Sequence, residues 1–222
     1  MERKFQFTIG EYYHIFNRGV DKSLIFNVDK DFDRFQGLLY LANGDRPVVS
    51  RLIRESPFDW ERGNIQASIL AYSLMPNHFH LICREEKSGG LSKLLGKLST
   101  SYSMYFNTKY ERSGSLLCHP FRARHIDSDD YFRWVFSYVH LNPLDIMKPG
   151  SLKRKEIDYA QSIQFLESFS YSSYTDYFNE GRPAGRIINK EALPIEAKEI
   201  ENVEEMIRDF QSIPKEFNLP VR

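Results

Sequence analysis

Ile65-Gln66-Ala67-Ser68-Ile69-Leu70-Ala71-Tyr72-Ser73-Leu74-Met75-Pro76-Asn77-His78-Phe79-His80-Leu81-Ile82-Cys83-Arg84 reads as two strands folded on one short turn. Ile65 to Leu74 is apolar and rich in residues that suit a pleated surface, Met75-Pro76-Asn77 turns the chain, and His78 to Arg84 returns as the partner strand. Side chains alternate across a strand, so His78 and His80 share one face while Phe79, Leu81 and Cys83 share the other. The apolar set can enter a core and leave two imidazoles side by side opposite it. Neutral imidazole is a common metal ligand, which suits such a pair to a divalent cation. By itself a His-x-His strand is a short motif of low specificity.

Working outward, Tyr12 to Phe16 is predicted as a first strand, ended by an Asn17-Arg18-Gly19 turn. Asp29 to Leu41 places Phe32, Phe35, Leu38 and Leu39 at helical spacing, with Asp29 as the expected N-cap. Asn43 to Asn64 carries Asn-Gly, two prolines and several charges, and reads as an insertion with a short helix around Val48 to Ile53. Downstream, Leu91 to Tyr110 is a long helix with Leu91, Leu94, Leu95, Leu98, Tyr102 and Tyr105 on one side. Phe121 to Ile126 is a short strand. Ser128 caps a further helix from Asp129, which Pro143 stops. The order β-α-β-β-α-β-α predicts an α+β chain: a ferredoxin-like split β-α-β antiparallel sheet, an added helix, and a C-terminal helical extension. A core domain over 1–148, with its insertion at about 43–64, and an extension over 149–222 are expected. Ile195 to Phe210 reads as one acidic amphipathic helix.

The 222 residues are 41% hydrophobic with a formal net charge of zero, a soluble globular composition. No apolar run approaches the ~20 residues of a membrane helix. Cys83 and Cys118 are the sole cysteines, which excludes a disulfide framework and a thiolate zinc site; a cytoplasmic location is expected. The charge is uneven. Basic residues outnumber acids between Lys93 and Lys155, whereas Glu196, Glu199, Glu201, Glu204, Glu205 and Asp209 crowd the tail. A basic middle suits a phosphate-tracking groove and equally an ordinary surface.

In Ser137-Tyr138-Val139-His140-Leu141-Asn142, Tyr138 and Asn142 stand four apart on one helix face and can present a phenol and an amide oxygen together. A half-buried tyrosine followed by an Asn-Pro helix stop explains the same residues. The stretches Met75-Pro76-Asn77-His78-Phe79-His80-Leu81 and Tyr138-Val139-His140-Leu141-Asn142-Pro143 jointly resemble the single-tyrosine transposases of the HUH superfamily. These are the IS200-like enzymes and, closest in pattern, the REP-associated tyrosine transposases. Tyr13-His14-Ile15-Phe16-Asn17-Arg18-Gly19, Arg112-Ser113-Gly114-Ser115-Leu116 and Phe121-Arg122-Ala123-Arg124 match as well, so the likeness runs from about Tyr12 to Pro143. It implies His78 and His80 as the metal pair, Asn142 as the third ligand, Tyr138 as the nucleophile, and Mg2+ or Mn2+ as the cation.

That chemistry is a single-stranded DNA endonuclease and strand transferase acting at hairpins through a 5′-phosphotyrosyl intermediate. The alternative is a domesticated protein of the same fold that binds hairpins without cutting. A zinc hydrolase is the sharper rival, but it needs a carboxylate base, and no His-Glu-x-x-His pattern is present. DNA contact is expected from Arg18, Lys93, Lys97, Arg122 and Arg124, in a monomer or a homodimer. The tyrosines at 171, 174 and 177 have helical spacing and read as packing, as do Tyr102 and Tyr105.

Overall fold

The computed structural model describes residues 6–47, 56–154, 157–178 and 181–212. The short helix expected around Val48 to Ile53 lies outside the described residues. Four strands, β1 (Tyr12–Arg18), β2 (Ala67–Met75), β3 (His78–Glu85) and β4 (Arg122–Ile126), form an antiparallel sheet in the order β2-β3-β1-β4. This is the predicted split β-α-β arrangement: α1 (Asp29–Ala42) carries the chain from β1 across to β2, and α2 (Gly90–Lys109) carries it from β3 to β4. α3 (Asp129–Leu141) follows β4. The Ser128 Oγ accepts from the Tyr131 N–H at 3.4 Å, so this helix starts where its sequence says.

The sheet is buried on both faces. Phe79, Leu81 and Cys83 enter one core with Tyr13, Ile15, Leu74 and the apolar sides of α1 and α2. The other face is not open to solvent. Leu70, Ala71, Ile82 and Ile126 pack there under α3, and the chain beyond 149 completes that second core with Leu166, Tyr174, Met206 and Phe210. Both predicted imidazoles therefore sit in a layer between sheet and helix.

Two local expectations are corrected. Asp29 is the first residue of α1 rather than its cap. Asp31 does the capping instead, its carboxylate accepting from the N–H groups of Asn27 at 2.9 Å and Val28 at 3.2 Å. The acidic segment from Ile195 to Phe210 is two helices, separated at 199–202. The Asn202 Oδ1 accepts from the Glu205 N–H at 3.0 Å and opens a new helix of its own, Val203–Ser212. The tyrosines expected to pack do so: Tyr174 is buried, the Tyr177 hydroxyl donates to the Leu70 carbonyl, and Tyr171 stacks on Phe32. Tyr102 donates to the Ile25 carbonyl in the first core. Among the described residues no helix is long and apolar enough to cross a membrane.

Candidate active site

Register decides what the histidines meet. Antiparallel pairing sets Arg18 opposite His78, Phe16 opposite His80 and His14 opposite Ile82. On the other edge of β1, Phe16 pairs with Arg122 and His14 with Arg124. Residues directly opposite share a face. Hence His14, His78, His80, Arg18, Arg122 and Arg124 all lie on the side of the sheet that α3 covers.

α3 brings Tyr138 down onto this row. Its hydroxyl lies 3.4 Å from the His80 Nε2, and the two rings meet edge to face at 5.1 Å. At that length the contact is a weak hydrogen bond. One turn on, Asn142 is close enough to influence both His78 and Tyr138, yet its Oδ1 is buried and makes no hydrogen bond. The rings of His78 and His80 stand 5.1 Å apart, nearly perpendicular. All four residues come from a single chain.

Proton positions follow from the neighbours. Asn77 spends its Nδ2 on the Lys22 carbonyl at 3.4 Å, which leaves its Oδ1 to face the His78 Nδ1 at 2.6 Å. An amide oxygen only accepts, so the His78 Nδ1 carries the hydrogen and its Nε2 keeps a free lone pair. Burial drives the imidazoles toward the neutral form. His78 is held near 4 by desolvation, with Asn142 opposing and Arg18 adding to the fall. His80 falls well below its ordinary value through desolvation and the adjacent His78 and His14. Burial also pushes the Tyr138 phenol above its ordinary value, so at rest the hydroxyl keeps its proton.

These donors suit a divalent cation. Metal binding requires neutral imidazoles, which this layer enforces. A carbonyl oxygen buried without a donor, the state of the Asn142 Oδ1, is costly unless something outside the protein satisfies it. Among the described residues no group of three or more His, Cys, Asp or Glu gathers for a metal, so a cation on His78 and His80 would have to take a third protein ligand of another kind, such as the Asn142 amide.

The structure does not bring every expected DNA-binding residue here. Lys93 and Lys97 are on α2, beyond the opposite face of the sheet, because Leu91, Leu94, Leu95 and Leu98 turn that helix toward the first core. The Lys97 Nζ donates to the Gly44 carbonyl at 3.0 Å. Arg124 lies over the Tyr131 ring at 4.6 Å.

Two residues escaped the sequence reading. His14, fully buried, places its Nε2 2.9 Å from the His80 Nδ1. Phe210 of the second helix of the acidic tail lies against both Trp134 and Tyr138, with centroids at 6.1 and 6.2 Å, and leaves Tyr138 4% exposed. The alternation Tyr12, His14, Phe16 is a signal for the first, but only the strand register ties it to His80. Nothing local to Tyr138 signals the second.

The family described as "Transposase IS200 like" matches residues 60–142, the stretch that holds β2, β3, α2, β4, α3 and Asn142. No curated protein matches the chain. A solved structure described as "Structure of the REP associates tyrosine transposase bound to a REP hairpin" aligns with 83% of this chain and 89% of its own, at 12% identity and a TM-score of 0.47. Residues 60–142, which carry His78, His80, Tyr138 and Asn142, are thus the part of the chain that is similar to the IS200-like transposases.

Proposed function

We propose that the chain is a metal-dependent, single-stranded DNA endonuclease and strand transferase acting at hairpins, with Tyr138 as nucleophile and His78, His80 and Asn142 holding Mg2+ or Mn2+. The observation that carries this reading is the Tyr138 hydroxyl 3.4 Å from the His80 Nε2, beside the unsatisfied Asn142 Oδ1. When bound, the cation supplies charge that polarises a non-bridging phosphate oxygen. Two imidazoles and an amide are softer than magnesium prefers, so manganese is the better match to this donor set.

The protein's part begins with the phenol. With an ordinary pKa near 10, about one tyrosine in a thousand is ionised at pH 7, and burial lowers that fraction for Tyr138. Attack therefore requires loss of the phenolic proton as the bond to phosphorus forms. The Oη–P bond is made, the P–O3′ bond breaks, and the 3′ oxygen takes up a proton. The product is a 5′-phosphotyrosyl link that another 3′-hydroxyl can reverse, joining strands without a nucleotide cofactor. Arg18, Arg122 and Arg124 are basic residues on the same face, placed to hold the phosphates of the strand. One chain supplies the nucleophile and all three ligands, so a monomer suffices, in the cytoplasm where the DNA is.

Incubation of labelled single-stranded hairpin DNA with Mn2+ is expected to give a covalent protein–DNA adduct, and Tyr138→Phe to give none. An adduct that survives the substitution refutes the nucleophile. Tight hairpin binding with no adduct under either metal would favour the non-cleaving alternative.

A further inference from the structure

We infer that His14 is a positioning residue for the cation site, acting through His80 by fixing its ring and deciding which of its nitrogens carries the hydrogen. This rests on the metal assignment proposed above.

The His14 Nε2 and the His80 Nδ1 are 2.9 Å apart, both rings are fully buried, and they lie nearly parallel with centroids at 5.1 Å. Neutral imidazole has one N–H and one lone pair. A single hydrogen therefore lies between the two rings, and it has two homes. If His14 donates, the His80 Nε2 must carry the other hydrogen; it can then donate to the Tyr138 oxygen but offers no lone pair. If His80 donates from Nδ1, its Nε2 is free to ligate, and His14 must carry its own hydrogen on Nδ1.

In neither form is the His14 Nδ1 satisfied, for it is buried without a partner. Burying an imidazole with an orphan nitrogen is unfavourable for folding, and a hydrocarbon ring of similar size would avoid the cost. His14 thus has no evident structural reason to be a histidine. What it offers is an acceptor at the back of His80, the role that an oxygen commonly plays behind a metal-bound histidine. His78 already has such a partner in the Asn77 Oδ1. His14 completes the second half of the same arrangement.

The test uses the full chain and Mn2+ alone, with affinity read by electron paramagnetic resonance, so that DNA and turnover do not enter. His14→Phe is expected to weaken Mn2+ binding about 10- to 100-fold without lowering thermal stability. His14→Gln, whose amide oxygen can accept from the His80 Nδ1–H, is expected to recover most of that loss. In wild type labelled with 15N-histidine, Mg2+ should shift His80 to the form with its hydrogen on Nδ1. Wild-type Mn2+ affinity in His14→Phe, alongside lost affinity in His80→Ala, would overturn the role of His14 alone. A His80 that keeps its hydrogen on Nε2 with Mg2+ bound would overturn this inference together with ligation through that nitrogen, a measurement that does not depend on any variant folding. Undiminished affinity in His80→Ala would instead remove the metal assignment itself, and this inference with it.

Discussion

Phe210→Ala is expected to make the protein a faster nuclease while making it less stable. Tyr138 is 4% exposed because α4 (Val203–Ser212) lies across it. On the proposed function, a phosphodiester would have to displace this helix to reach the hydroxyl. Val203, Met206, Ile207 and Phe210 are the buried stripe of the helix, and Phe210 is its contact with both Trp134 and Tyr138. Arg133 of α3 adds polar ties, donating to the Glu196 carbonyl at 2.8 Å and standing 3.0 Å from the Asp209 Oδ2 as an ion pair without hydrogen-bond alignment. Truncating a core phenylalanine costs about 3–5 kcal/mol, and Phe210, which is 8% exposed at a site that can partly collapse, should sit below that, at about 2 kcal/mol. If only the displaced state reacts, about 2 kcal/mol raises its population, and the rate of adduct formation, by roughly 30-fold. Single-turnover adduct formation with excess hairpin DNA and Mn2+ measures the rate, and amide hydrogen exchange over 203–212 measures the opening. Asp209→Asn should move both in the same direction by a smaller amount. Faster exchange over 203–212 with no faster adduct formation would refute the reasoning, since the helix would then be open without being the obstacle.

Arg122→Ala and Arg124→Ala should each weaken hairpin binding and reduce its salt slope by about one, whereas Lys93→Ala and Lys97→Ala, on the far layer, should leave both unchanged; equal losses from the two sets in a binding titration at several salt concentrations would place the DNA elsewhere. Stability should fall on acidification. Desolvation holds His14 and His140 near 3, with Arg124 assisting at His14 and the Phe136 carbonyl opposing at His140, while His78 sits near 4. The folded chain therefore stays neutral at these sites where the unfolded chain, titrating near 6.5, takes up protons. Their contribution is fully present above about pH 6.5 and is lost as the pH falls toward 3–4, by about 1 kcal/mol per imidazole at about pH 5.5; equal urea midpoints at about pH 7.5 and 5.5 would contradict this. Gly90→Ala should lower stability by about 1–3 kcal/mol, because a Cβ there would stand 2.1 Å from the backbone oxygen of Gln66; an unchanged melting temperature would show that the start of β2 yields freely.

The parts of the site legible in the sequence are those that depend on one element at a time. Alternation along β3 puts His78 and His80 on one face with Phe79, Leu81 and Cys83 on the other, and helical spacing puts Tyr138 and Asn142 together. Each is a local periodicity that folding preserves. Which other side chains join them is set by pairing between strands far apart in sequence, and no periodicity encodes register. His14 shows the consequence. Its alternation with Tyr12 and Phe16 was readable, but its contact with His80 exists only because Tyr12 pairs with Arg84 and every later pair follows from that one. The same reasoning explains Lys93 and Lys97. A charge count sees them as part of a basic middle, whereas the apolar side of α2 commits them to the layer away from the histidines.

Burial of Tyr138 is the clearest case of a property that no local reading yields. An isolated helix 129–141 would leave its phenol facing whatever lies beyond the sheet. The environment is supplied by a helix about seventy residues later, whose spacing of Val203, Met206, Ile207 and Phe210 announces an apolar stripe but not the surface it will cover. Sheet and proposed nucleophile are thus specified by residues 12–142, while the cover over Tyr138 is specified by the acidic tail. Because the two are separate in sequence, tail substitutions can change how often the hydroxyl is reached without altering His78, His80 or Asn142. The converse should fail: a change within β3 or α3 would alter the geometry of the proposed ligands and the docking surface for α4 together, since Tyr138 belongs to the proposed site and, with Trp134, to the seat of that helix.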